Sequence, residues 1–116
     1  MDPIEVNAGG FYLRALRIDE RIDDSVATGD ILGLDRDAAT RRIDEFTRGW
    51  ADETELSWAV CEQTDVTCLA IITYDVGGDT LDIAAAPGDR GRDPRETYDG
   101  PFAAIERFVA TYRQGG

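Results

Sequence analysis

Acid–base chemistry has few candidates in this sequence. The chain has 116 residues and no His, and all 12 of its basic residues are Arg. A Ser-His-Asp triad, a Cys-His pair, a His-ligated zinc and an imidazole base are therefore absent from this sequence. Proton transfer falls to Asp, Glu, Tyr, Cys or water. Asp82 alternates with Leu81 and Ile83 in a strand-like stretch, so its carboxylate leaves the opposite face. It is either exposed at an edge or held in a pocket, where a raised pKa would suit it to proton transfer. Tyr74 closes a long apolar run, and Tyr98 stands beside the last helix as a candidate general acid. Asp82, Tyr74 and Tyr98 are the catalytic candidates.

Trp58, Tyr12, Ala84 and Ala86 are candidates for lining a substrate pocket. The two aromatics are also ordinary residues of half-buried strands. The small Ala84-Ala85-Ala86 end either opens a cavity or admits a closely packed helix. Arg90, Arg92 and Arg95 could receive an anion, although Asp89, Asp93 and Glu96 are interleaved with them and give a solvated, neutralised loop as the plainer reading. If residues 55–63 and 66–75 form a hairpin, Cys61 faces Cys68. A cross-strand disulfide is then geometrically possible, with two reduced, packed thiols the expected state. Neither thiol has a basic neighbour in sequence to activate it as a nucleophile.

Composition narrows the function classes. There are 24 acidic residues against 12 basic ones, a formal charge of −12. That sign repels phosphate backbones and anionic lipid, so neither nucleic acid nor membrane is an expected partner. The hydrophobic fraction of 42% is that of a globular chain, and no apolar run reaches the length of a membrane span. One soluble cytoplasmic domain is the expectation, without a metal site.

These residues need elements to position them. Residues 1–10 are polar, end in Gly9-Gly10 and read as a flexible lead-in. Phe11 to Arg17 reads as a first strand and Asp19 to Ile22 as a helical turn; residues 24–34 are ambiguous. Asp35 or Asp37 caps a helix whose buried stripe is Ala39, Ile43, Phe46 and Trp50. Leu56 to Cys61, Val66 to Tyr74 and Thr80 to Ala86 read as three strands of an antiparallel meander, turning at Gly77-Gly78-Asp79. A loop over 87–100 leads to a final helix that opens at Asp99-Gly100-Pro101 and buries Phe102, Ile105, Val109 and Tyr112. The fold class is α+β, a mostly antiparallel sheet with helices packed on it.

Three segments carry a family resemblance. Gly10-Phe11-Tyr12-Leu13-Arg14-Ala15-Leu16-Arg17 resembles the first strand of GNAT-superfamily acyltransferases of the ribosomal-protein-acetylating type. Trp50-Ala51-Asp52 followed by Leu56-Ser57-Trp58-Ala59-Val60 is similar to their passage from helix to second strand. Ala86-Pro87-Gly88-Asp89-Arg90-Gly91-Arg92 resembles the end of their fourth strand and the start of the acetyl-CoA loop. The resemblance implies a truncated GNAT-like domain over residues 1–116, without the family's C-terminal strand and helix. It also implies that Arg90, Gly91 and Arg92 are the cofactor-binding residues.

The family loop reads Arg/Gln-x-x-Gly-x-Gly/Ala. Here Asp93 replaces its first Gly, Arg95 its Gly/Ala, and Pro94 removes an amide donor. The implied function is a scaffold released from acetyl-CoA, with no cofactor, that binds or acts on a small organic molecule in specialised metabolism. A cyclisation or isomerisation steered by shape is the implied reaction class. Two alternatives stand beside it: a minimal acetyl-CoA-dependent N-acetyltransferase and a non-catalytic dimeric interaction module. A homodimer is the expected assembly.

Overall fold

The computed structural model describes residues 1–86 and 93–115. Its elements are β1 (Val6–Ala8), β2 (Phe11–Arg14), α1 (Ser25–Leu32), α2 (Arg36–Asp52), β3 (Glu55–Glu62), β4 (Ala70–Asp75), β5 (Thr80–Ala85), α3 (Pro94–Thr97) and α4 (Asp99–Gly115). The strands form one antiparallel sheet in the order β1-β2-β3-β4-β5. The fold is α+β, as the sequence predicts, and no helix among the described residues is long and apolar enough to cross a membrane.

The alternation of β3 and β4 divides the core. Leu56, Trp58, Val60, Ile72 and Tyr74 point to one face, where Ile105 and Val109 of α4 cover them. Ala59, Cys61 and Ile71 point to the other, beneath Ile31 of α1 and Ile43 and Phe46 of α2. With both faces covered, the central strands are apolar at nearly every position. The α2 stripe is the expected one, and Asp35 is the cap: its Oδ1 accepts from the Ala38 amide at 2.8 Å. At Gly49, α2 runs so close to the chain entering β3 that a Cβ would lie 2.5 Å from the Glu55 carbonyl oxygen.

The structure differs from the sequence expectation in five places, one of them α3, a single helical turn over Pro94–Thr97 within the stretch read as a loop. The segment read as a lead-in carries β1, which turns at Gly9 (φ +62°) to pair with β2. It is held across the core, where Val6 and Ala8 pack and the Trp58 indole donates to the Ile4 carbonyl at 2.9 Å. Next, β2 stops at Arg14 rather than Arg17, because Asp24 takes the Arg17 amide at 2.8 Å and turns the chain. Residues 19–22 are a bend and not a helical turn: Asp19 Oδ1 accepts the amides of Arg21 and Ile22, both at 2.9 Å. Finally, β4 begins at Ala70 rather than Val66, since the Val66 carbonyl is committed to Arg14 at 2.7 Å.

Candidate functional site

The residues singled out from sequence are spread over both faces of the sheet. Tyr74 is 2% exposed on the α4 face, and its hydroxyl donates to Asp79 Oδ1 at 2.7 Å. That bond, with some desolvation, raises the phenol above its ordinary value. Tyr98 is buried on the same face, edge-on to Phe11 at 5.8 Å. Asp82 leaves the opposite face at the outer strand, 66% exposed, with Arg95 3.9 Å away. The sheet therefore does not bring Asp82 together with the two tyrosines.

The four lining candidates also divide. Trp58 is fully buried, packed edge-on against Trp50 and Phe108 at 5.2 and 5.4 Å. Tyr12 is half-buried, and a hydrogen bond with Glu5, followed by desolvation, raises its phenol. Ala84 and Ala86 both pack against the cluster beneath α1 and α2, and Ala86 also lines a cleft. Arg90, Gly91 and Arg92 lie outside the described residues.

The cleft has a volume of about 390 Å³. One wall is the 19–24 turn and α1, through Ile22, Asp24, Ala27 and Ile31; the other is the β3–β4 loop at Val66, Thr67 and Cys68. Ala86 borders it where β5 ends. Val26 and Val66, both part of the lining, are the two most exposed large hydrophobic residues described, at 64% and 61%. An apolar surface left open in a concave site is a feature of ligand-binding clefts.

A buried polar layer supports the cleft. Arg14 donates through Nη1 and Nη2 to the two oxygens of Asp24, and Nη2 also reaches the Val66 carbonyl. The one guanidinium thereby ties β2, the start of α1 and the β3–β4 loop together. Burial opposes the charge of Arg14, but the hydrogen bond and charge of Asp24 outweigh it and hold the guanidinium above its ordinary pKa. Arg14 Nε and, one turn into α1, Thr28 Oγ1 are buried with no hydrogen-bond partner among the described residues.

The chemistry this arrangement offers is binding. Burial pushes the Cys68 thiol up to about 12 and raises Cys61 as well, so both are neutral and slow to react as nucleophiles near neutral pH. Arg21 and Asp30 line the cleft with opposite charges, and neither side chain has a hydrogen-bond or ion-pair partner among the described residues. No group of three or more Cys, Asp and Glu among those residues is placed to hold a metal. Sequence reasoning did not find Arg14, Asp24, Asp30 or Val66. The only signal was Val26 and Val66, two apolar residues in stretches without periodicity.

No protein-family model, curated protein or solved structure matches the chain.

Proposed function

We propose that this chain is a GNAT-like scaffold that binds a small organic molecule without acetyl-CoA. The carrying observation is the cleft between α1, the β3–β4 loop and Ala86, with its apolar lining and its two unpartnered charges, Arg21 and Asp30. Element order from β2 onward supports the family half of the reading: β2, two helices and three antiparallel strands follow in the order the resemblance implies, with β1 added before them and the short α3 set before α4. Release from the cofactor is supported at Asp93. Its carboxylate already accepts the Arg95 amide at 2.9 Å at the start of α3, and Pro94 has no amide to offer. A pyrophosphate would meet a carboxylate there, so the described part of the loop does not fit coenzyme A.

If the bound molecule is also transformed, cyclisation or isomerisation by enforced shape is the class that fits such a cleft, and Asp30 is the carboxylate available to move a proton. The deciding experiment is a small-molecule screen by chemical-shift perturbation on the full chain, repeated with Ala86→Trp and with acetyl-CoA. Ligands that perturb Val26, Asp30 and Val66 in the parent chain and lose that effect in Ala86→Trp support the reading. Thermal protection by millimolar acetyl-CoA would replace it with the N-acetyltransferase reading.

A homodimer joined along β5 is a second reading. It draws on one observation: among the described residues β5 is the last strand of the sheet and pairs only with β4. A monomer by sedimentation equilibrium would end it.

A further inference from the structure

The two cysteines are placed together by the backbone, whatever the cleft binds. Val60 pairs with Ala70 in the β3–β4 ladder, yet its carbonyl also accepts the Leu69 amide at 2.8 Å. Two residues of one arm thus oppose one of the other, which is a β-bulge. Cys61 directly follows Val60 and Cys68 directly precedes Leu69, and both side chains enter the same buried cluster. An antiparallel pairing continued one step past the bulge would set their Cα atoms about 4.5–5.5 Å apart. That spacing lies within the roughly 4.4–6.8 Å spanned by disulfides.

The two thiols are not equivalent. Cys61 is fully buried and its Sγ lies 3.5 Å from the Val66 carbonyl oxygen, while Cys68 is 5% exposed and forms part of the cleft lining. Both are free thiols. A reagent in the cleft therefore meets Cys68 first, with Cys61 in the same buried cluster.

We propose that Cys61 and Cys68 are a cross-strand dithiol that closes to a disulfide by exchange with a small-molecule disulfide, Cys68 receiving the reagent and Cys61 resolving it. In the first step Cys68 loses its proton, attacks one sulfur of the reagent and expels a thiolate, leaving a mixed disulfide. In the second step Cys61 loses its proton, attacks the Cys68 sulfur and expels the other thiolate. The protein gives up two electrons and two protons, and the reagent becomes two thiols. The new bond ties β3 to the loop that walls the cleft, so the shape of the cleft becomes linked to thiol redox state. Burial of both thiols keeps the exchange slow.

The test is equilibration of the reduced full chain with oxidised and reduced glutathione, followed by acid quench and intact mass measurement. The expected product is a monomer lighter by two hydrogens, without titratable thiols and without lasting adduct. Cys61→Ser should accumulate one glutathione on Cys68, and Cys68→Ser should stay unmodified over the same time. A lasting adduct on the parent chain, a disulfide-linked dimer or two free thiols at equilibrium would overturn the proposal. Equal adduct formation on the two variants would overturn the assigned order. Should a serine variant fail to fold by circular dichroism, the parent time course decides alone: a transient adduct followed by ring closure supports the proposal, and an unchanged mass refutes it.

Discussion

Arg14 and Asp24 meet side-on, Nη1 to Oδ2 at 2.8 Å and Nη2 to Oδ1 at 2.9 Å, with each side chain only 4% exposed. Breaking such a pair from one side strands a buried charge, at a cost of about 3–5 kcal/mol. Asp24→Asn should therefore lower stability by that amount in urea titration. Replacing both partners with Arg14→Met and Asp24→Leu should recover most of the loss. A small effect of Asp24→Asn alone would show that water reaches the pair.

Asp19 gives a prediction in acid. The amides of Ile22 and Arg21, with the Arg17 side chain, hold its carboxyl down at about 2. A carboxylate depressed in the folded state contributes stability above its unfolded pKa of about 3.9 and loses it as pH falls toward the folded value. The stability difference between the parent chain and Asp19→Ala should be constant between neutral pH and about pH 5, then shrink below pH 4. Carboxyl NMR titration should place the midpoint near 2. An ordinary midpoint would mean that the bend is open in solution.

Cys68 gives the opposite sign in base. Its thiol is pushed up to about 12, chiefly by burial and then by Cys61 and Asp24. A group whose folded pKa is raised contributes stability below its unfolded pKa, about 8.5 for a thiol, and loses it as pH rises through the folded value. The urea midpoint of the reduced chain should fall between pH 8 and 10, and Cys68→Ala should fall less steeply. Iodoacetamide should label the native chain slowly at pH 8 and rapidly once it is unfolded.

Two glycines should respond differently to the same change. Gly49→Ala places a methyl 2.5 Å from the Glu55 carbonyl oxygen, so α2 or the start of β3 must move, at a cost of roughly 1–3 kcal/mol. Gly33→Ala meets no neighbouring atom, and only its positive φ of +69° resists, for about 1 kcal/mol. Thermal melts of the two variants check the ranking.

Sequence legibility followed the reach of the interactions concerned. The buried stripe of α2, its Asp35 cap and most of β3 and β5 were readable, because periodicity and capping are local. Val66 to Leu69 looks like the start of a strand, but Arg14, distant in sequence, holds Val66 in a loop. That contact has no local signature. For β1, the evidence in sequence is only Val6 and Ala8 before a glycine turn, and pairing with β2 supplies the rest. The cleft was hidden for the same reason as the β4 boundary. Its walls meet through Arg14 and Asp24, two charged residues that read as surface until the fold buries them against each other.

Every strand in the sheet pairs with its neighbour in sequence, yet one junction is unlike the rest. β1–β2, β3–β4 and β4–β5 are joined by short connections, whereas β2 and β3 are separated by the whole of α1 and α2. Chain closure across that long insert costs the most entropy and is rewarded last. The kinetic nucleus should therefore assemble from the β3–β4–β5 meander and α2, with the N-terminal hairpin zipping on afterwards. Weakening Leu13 would then accelerate unfolding and leave the refolding rate nearly untouched, whereas weakening Ile72 would slow refolding.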